Sequence, residues 1–202
     1  MLGLLDSLLY RHWFEGRSAL RYARDERPAF GDLDDRLLDG LALDGVARLL
    51  DLGCGPATFA ARARVRFPTL TVIAIDPSRT FARTSTVRAR GEELPLADRS
   101  IDVAICLSSI RHVHDRSKTL RELRRVAARC TIVELDPAAE PHRIAAHADR
   151  LGTALLRHAF GPLVCRTAPP AAAIARLAEA AGFRRVGLRP DPIQPVYILE
   201  LA

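Results

Sequence analysis

The chain has 202 residues, of which 49% are hydrophobic and 5% aromatic, and its formal net charge is +6. This length can bury one sizeable core but is short for two ordinary domains, so we expect a single domain over residues 1–202. The positive charge alone would suit a nucleic-acid partner, but the arginines are scattered among acidic residues, which is typical of solvated helix faces and disfavours that partner.

The first 30 residues carry apolar side chains at helical spacing among charges. This spacing predicts one or two amphipathic helices, which we interpret as an N-terminal helical cap over residues 1–30. A further helical pattern begins at Asp32 and is closed by Gly40 and Gly45. If this cap covers a substrate, the side chains available are Tyr10, His12, Trp13, Phe14, Arg17 and Tyr22.

Short apolar runs of strand length alternate with helical patterns along the rest of the chain. Continuous rather than alternating apolar runs indicate strands buried on both faces, and their alternation with helices predicts an α/β fold with a doubly wound, mostly parallel sheet. The last two strand-like segments are joined by a proline-rich loop too short for a crossover helix, so they must pair antiparallel. The predicted strands are 46–52, 70–75, 101–107, 131–135, 183–188 and 196–201.

The strongest motif is the strand-turn-helix sequence from Leu49 to Thr58, which contains Asp51, Gly53 and Gly55. Glycines at such a turn let the backbone bend sharply and approach a ligand closely. A dinucleotide fingerprint would need a third glycine where Thr58 stands, and a pyrophosphate would be repelled by the Asp51 carboxylate. A cofactor that carries an ammonium and a sulfonium group would be attracted to it instead.

This motif resembles the first motif of the class I methyltransferases that depend on S-adenosylmethionine (SAM), and the resemblance extends from Leu37 to Leu201, with the type 11 and quinone C-methyltransferases nearest. It implies a Rossmann-like sheet of seven strands with an antiparallel C-terminal hairpin. It also implies SAM as the cofactor, with S-adenosylhomocysteine as product, and cofactor contacts from Asp51, Gly53, Cys54 and Gly55.

The second strand ends in Asp76, followed by Pro77 and Ser78. A carboxylate at this place can accept both ribose hydroxyls of a nucleoside, so we expect Asp76 and Pro77 to bind the cofactor. The alternative is that Asp76 or Ser78 caps the next helix.

The segment from Gly91 to Asp102 resembles the family's connection to the fourth strand, whose first residues grip the adenine. The acidic residue expected there is replaced by Arg90. We therefore assign the adenine contacts to Gly91 and Glu92, the nearest carboxylate.

The strand from Ile101 and its exit match the family pattern beneath the cofactor, which implies that Leu107 and Ser108 line the methionine side. The sequence Ile110-Arg-His-Val113 resembles the Leu-Arg-Asn-Val of quinone C-methyltransferases. His112 is thus a candidate catalytic residue, as a base or to position a nucleophile. The alternative is a histidine that only packs against the loop.

Several other features of the sequence limit which functions are expected. The four cysteines form no Cys-x-x-Cys pair and have no histidine at ligand spacing, so we expect neither a metal site nor a disulfide framework. No apolar stretch reaches membrane-spanning length and the start lacks a signal-peptide pattern, so we expect a cytoplasmic protein without a membrane span.

The acceptor is expected to be a small molecule, covered by residues 1–30 and by a second helical cap segment, 138–168, and methylated by in-line displacement. The motifs of base-directed methyltransferases are missing after the fourth strand, where Cys106-Leu-Ser-Ser109 stands. An RNA methyltransferase and a non-catalytic SAM-binding partner subunit remain as alternatives. We expect a monomer or a homodimer.

Overall fold

A computed structural model of the protein describes residues 14–202. The predicted helix before residue 14, and with it Tyr10, His12 and Trp13, lies outside the described residues. No helix within the described part of the chain is long and apolar enough to cross a membrane.

Six strands form one sheet in the order β2-β1-β3-β4-β6-β5. The first four are mutually parallel, while β6 runs antiparallel to both β4 and β5. The predicted parallel sheet with an antiparallel C-terminal hairpin is therefore confirmed. The strands are β1 Arg48–Leu52, β2 Thr71–Ile75, β3 Ile101–Leu107, β4 Ala127–Leu135, β5 Arg185–Pro190 and β6 Val196–Leu201.

The expected seventh strand is replaced by a loop between β2 and β3. Over residues 14–202 the place where it would extend the sheet beyond β2 holds a single bridge, between Ile75 and Val87. The sequence from Pro77 to Arg90 explains this difference, because Val87 stands there among arginines, serines and threonines without an apolar run of strand length. The sheet consequently has β2 at one edge and β5 at the other.

Seven α-helices of the described chain accompany the sheet, and the predicted helix after Asp32 is confirmed as α2. A π turn at Tyr22–Glu26 and a 3-10 turn at Arg27–Phe30 follow α1, a 3-10 turn at Ile110–His112 follows β3, and a π turn at Phe160–Cys165 follows α6. The helices are α1 Gly16–Arg21, α2 Leu33–Gly40, α3 Thr58–Arg66, α4 Arg116–Val126, α5 Pro141–Ala148, α6 Ala154–Ala159 and α7 Ala171–Ala180.

The sheet separates two hydrophobic cores. On one face α2, α3 and α5 pack against alternate strand residues such as Leu49 and Val133. On the other face α4 and α7 pack against the intervening residues, including Leu50 and Ile132. Both faces of the central strands are thus buried, which accounts for their continuous apolar sequences.

Helix α4 holds the segment that leads from the loop between β2 and β3 into β3. The Arg125 guanidinium donates to the Leu94 and Leu96 carbonyls at 3.0 and 2.8 Å, and Glu122 accepts from the Leu94 N–H at 2.8 Å. The two side chains are also paired with each other at 2.7 Å. Side chains of α4 therefore fix the backbone of this segment by hydrogen bonds.

Helix α4 passes directly into β4. The strand starts at Ala127, whereas the apolar pattern predicts its start at Thr131. Ala127 is buried and paired with Ile101, and the chain turns without the glycines that a separate loop would need. The small side chains of Ala127 and Ala128 allow this abrupt change of direction.

Candidate functional site

The candidate site lies at the carboxyl ends of β1, β2 and β3. Strand β1 pairs with β2 on one side and with β3 on the other, so the chain leaves β1 in one direction and later returns to its opposite side. Ligands of open α/β sheets bind in the crevice at such a switch point. The exits of these strands carry most of the residues that the sequence singled out.

The glycine turn after β1 is tightly built. Gly53 and Gly55 both have positive φ values, +72° and +52°. A Cβ on Gly53 would overlap the Ser109 side chain, so no other residue fits there without a shift. The amides of Gly53 and Cys54 donate to the Ile75 carbonyl at 2.7 and 3.1 Å, which ties the turn to the end of β2.

Asp51 is a buried carboxyl group that lacks part of its hydrogen bonding. It is 2% exposed, and its Oδ2 has no hydrogen-bond partner within residues 14–202. Burial, and secondarily the charge of Asp34, raises its pKa to about 7, while the Arg27 guanidinium acts in the opposite direction. A cationic group brought close to Asp51 would lower this pKa and gain a charge-assisted contact.

Asp76 joins the ends of β1 and β2. Its Oδ2 accepts from the Gly55 N–H at 2.8 Å, and its Oδ1 accepts from the Ser78 N–H at 2.8 Å. Burial raises its pKa, and the two amide hydrogen bonds oppose that shift. Each carboxylate oxygen can still accept a further hydrogen bond. Pro77 is exposed beside it.

The exit of β3 contains a strained residue. Ser108 has a φ of +50°, a conformation that is uncommon for a residue with a side chain, and its N–H donates to the Val133 carbonyl at 2.7 Å. Its Oγ is buried without a partner in the described chain. Leu107 precedes it at the partly exposed end of the strand. Such strain at a strand end is a common mark of a functional site.

The proposed adenine side is packed against α4. Gly91 is buried, and a Cβ there would approach the Thr119 Cγ2 to 2.8 Å. The Oε1 of Glu92 accepts from the backbone N–H groups of His114 and Asp115 at 2.7 and 3.0 Å. Glu92 therefore already holds the loop before α4, and its other oxygen is the one available to a ligand.

His112 lies at the far side of the crevice, in the turn after Ser109. Its ring contacts that of Phe14 in an edge-on arrangement, with centroids 4.8 Å apart, and Phe14 in turn meets Tyr22 at 5.1 Å. Burial and the neighbouring Arg111 and Arg116 lower its pKa to about 3. The imidazole is therefore neutral at physiological pH and a weak proton acceptor.

Two carboxylates near the site belong to none of the motifs that the sequence analysis identifies. Glu15 reaches the loop after Asp76, where its oxygens accept from the Arg79 N–H and the Thr80 hydroxyl. Glu134 lies fully buried near the end of β4, where it accepts from the N–H groups of Arg111 and Leu135. A lone charge inside the apolar run 131–135 was the one available hint for Glu134.

These features fit an adenosyl sulfonium compound such as SAM. The orphaned Oδ2 of Asp51 suits a cation, the Asp76 oxygens suit a diol, and the glycine turn offers backbone without side chains. No cluster of three or more His, Cys, Asp or Glu side chains within residues 14–202 has the arrangement of a metal site.

Comparisons with known proteins show which proteins this chain is similar to. Residues 50–147 match the family described as a methyltransferase domain. A ubiquinone/menaquinone biosynthesis C-methyltransferase from Syntrophotalea carbinolica is 28% identical over 155 residues, which cover 60% of this chain and 65% of that protein. The match thus spans slightly less than two thirds of that relative.

Two solved structures share the fold. A SAM-dependent methyltransferase from Aquifex aeolicus superposes with a TM-score of 0.65 at 16% identity, covering 87% of this chain and 92% of the other. The magnesium protoporphyrin IX methyltransferase from Synechocystis PCC 6803, solved with bound S-adenosylhomocysteine, gives 0.67 at 18% identity and covers 97% and 98%.

Proposed function

We propose that this chain is a class I SAM-dependent methyltransferase, as the proteins it is similar to suggest, and that it transfers a methyl group from SAM to a small-molecule acceptor. The observation that carries the proposal is the junction of the glycine turn with Asp76, where the Gly55 N–H and the Asp76 carboxylate meet at 2.8 Å. This junction places bare backbone beside a carboxylate that can receive ribose hydroxyls.

We assign a role in holding the cofactor to each strand end. Asp51 binds the ammonium group, the turn Gly53-Cys54-Gly55 supports the methionine portion, and Asp76 with Pro77 binds the ribose. Gly91 and Glu92 face the adenine, while Leu107 and Ser108 line the methionine side. When bound, SAM supplies an electrophilic methyl group that its sulfur releases to a nucleophile in line with the bond that breaks.

The acceptor is proposed to lie under the two cap segments, 14–30 and 138–168. Arg111 fastens the second of these, because its guanidinium donates to the Val164 carbonyl at 2.9 Å. With a pKa lowered to about 3, His112 is assigned to orient the acceptor through a hydrogen bond rather than to remove its proton at neutral pH. Excluding water and aligning the acceptor can supply most of the rate enhancement for such a transfer.

Calorimetric titration with S-adenosylhomocysteine tests the cofactor site. Wild-type protein should bind one equivalent, and Asp76→Ala should weaken binding at least tenfold, since it removes charge-assisted hydrogen bonds of about 1.5–3 kcal/mol. Asp44→Ala, which removes an exposed carboxylate between α2 and β1, serves as the matched control. Absence of binding by the wild type contradicts the proposal.

The acceptor class needs a second experiment. Labelled methyl transfer from SAM is measured with a cell extract separated into small-molecule and RNA fractions. Transfer into the small-molecule fraction supports the proposal. Salt-sensitive transfer into RNA alone contradicts it and favours an RNA methyltransferase.

A further inference from the structure

The first described residues of the chain are fastened to the loop that follows Asp76. We call Phe14–Gly16 the strap. The Ser78 hydroxyl donates to the Phe14 carbonyl at 2.6 Å, and the Gly16 N–H donates to the Thr80 Oγ1 at 2.6 Å. These contacts join segments 64 residues apart in sequence.

Glu15 holds the centre of the strap. It occupies the N-cap position of α1, yet its side chain does not cap that helix. One carboxylate oxygen instead accepts from the Arg79 N–H at 2.9 Å, and the other accepts from the Thr80 hydroxyl at 3.2 Å. The Thr80 hydroxyl thus donates to Glu15 and accepts from the Gly16 N–H, so it is both donor and acceptor toward the strap.

A continuous path of hydrogen bonds connects the strap to Asp76. Ser78 donates its N–H to the Asp76 Oδ1 at 2.8 Å and its hydroxyl to the Phe14 carbonyl, and its Oγ also accepts from the Thr80 N–H at 3.1 Å. The Glu15 charge also contributes to the raised pKa of Asp76, behind burial as the main cause. A change in the strap should therefore alter the hydrogen bonding of Asp76, the carboxylate assigned to the ribose.

The strap also spans the crevice. Its Phe14 ring contacts His112 in the turn after β3, while its backbone and Glu15 contact the loop after β2. The strap consequently bridges two strand exits that flank the glycine turn.

We propose that Glu15 is a positioning residue that fastens the strap across the nucleoside end of the cofactor site, so that cofactor binding and the contacts of the strap are coupled. This inference rests on the proposed function. A cofactor that favours the arrangement of the loop after Asp76 also favours the closed strap, and by thermodynamic linkage a fastened strap raises cofactor affinity by the same factor.

The test combines affinity with a signal from the cap. S-adenosylhomocysteine is titrated into the full chain by calorimetry and, in parallel, by fluorescence of Trp13, the single tryptophan, which is adjacent in sequence to the strap. Glu15→Ala and, independently, Thr80→Val should each weaken binding roughly five- to thirtyfold, as expected for the loss of one or two hydrogen bonds. Both should reduce the Trp13 change at saturation. Glu15→Gln should restore much of it, because its amide oxygen can still accept from Arg79.

Controls separate this coupling from a general loss of structure. Glu179→Ala removes an exposed glutamate of α7 and should leave both signals unchanged. Saturating S-adenosylhomocysteine should protect the wild type, and not Glu15→Ala, from trypsin cleavage after Arg17 and Arg21. In the double variant Glu15→Ala/Thr80→Val, losses smaller than the sum of the single losses support a shared contact.

Two results overturn the inference in different ways. If the wild type does not bind S-adenosylhomocysteine, the proposed function fails and the inference fails with it. If the wild type binds while Glu15→Ala and Thr80→Val retain its affinity, Trp13 signal and trypsin protection, the inference alone is wrong. Circular dichroism of each variant establishes that it is folded.

Discussion

His147 Nδ1 lies 2.7 Å from Gln194 Oε1, and this hydrogen bond joins α5 to the loop between β5 and β6. The Gln194 Nε2 donates to the Phe30 carbonyl at 2.9 Å, which identifies Oε1 as the acceptor and places the hydrogen on His147 Nδ1. The imidazole is stacked on Phe160 at 4.4 Å and meets Phe30 edge-on at 4.8 Å. One neutral histidine therefore connects both cap segments to the C-terminal hairpin.

This arrangement predicts acid sensitivity. Burial lowers the pKa of His147 from 6.5 to about 4. Its contribution to stability is complete above pH 6.5 and is lost as the pH falls toward 4, because the unfolded chain then takes up a proton that the folded chain does not, for a total of roughly 3 kcal/mol. The free energy of unfolding, measured with urea, should decrease less between pH 7.5 and pH 4.5 for His147→Gln than for the wild type. The exposed His142→Gln should behave as the wild type, and an unchanged decrease in His147→Gln would contradict the prediction.

Asp51 should lower the free energy of unfolding of the protein, although it contributes to ligand binding. Its pKa is raised from 3.8 to about 7, so the folded chain keeps a proton that the unfolded chain releases, and stability falls as the pH rises from about 4 to 7. Asp51→Asn removes this cost. The difference in free energy of unfolding between the variant and the wild type, measured with urea, should be on the order of 3 kcal/mol more favourable to the variant at pH 8 than at pH 4. The variant should also bind S-adenosylhomocysteine more weakly. Equal gains at both pH values would show that Asp51 is already ionised without strain.

The glycine turn permits a comparison at matched backbone geometry. Gly53 and Gly45 have the same φ of +72°, but a Cβ on Gly45 has no atom within 4 Å, whereas one on Gly53 overlaps Ser109. Gly45→Ala should cost about 1–2 kcal/mol of unfolding free energy from its backbone conformation alone. Gly53→Ala should cost roughly 2 kcal/mol more, because the steric overlap adds to the same strain. Similar losses in thermal or urea unfolding would mean that Ser109 moves aside freely.

The strain at Ser108 can be relieved by glycine. Ser108→Gly should raise the free energy of unfolding by about 0.5–1 kcal/mol, since glycine adopts the φ of +50° without a steric penalty. Ser109→Gly should do the opposite, because the Ser109 hydroxyl donates to the Leu52 carbonyl at 2.8 Å. A loss of stability in Ser108→Gly would indicate that the buried Ser108 Oγ contributes more than the strain removes.

The sequence predicted the parts of this protein that are local or periodic. The buried strands follow from continuous apolar runs, and the antiparallel hairpin follows from the short loop after β5, and both are confirmed. Parallel strands end at one edge of a sheet, and at this edge Gly55 and Asp76, two residues that the sequence singled out, meet. The ligand roles assigned to these residues stay predictions.

Other features had no signal in the sequence because they depend on contacts between distant polar residues. Glu15 and Thr80 are ordinary surface residue types whose pairing follows only from the path of the chain. The positive φ of Ser108 is set by its neighbours, not by serine itself. The family resemblance implies a seventh strand, but between Pro77 and Arg90 there is no apolar run of strand length, and residues 14–202 form six strands.

The support of the Leu94–Leu96 segment by Arg125 has a consequence for how the preceding loop tolerates changes in length. A strand ladder imposes a register on every residue, so an insertion disturbs the whole edge of a sheet. The Arg125 guanidinium fixes the backbone at the Leu94 and Leu96 carbonyls without imposing a strand register. The part of the loop that precedes Leu94 can therefore be lengthened or shortened without rebuilding the sheet, provided that α4 keeps these contacts.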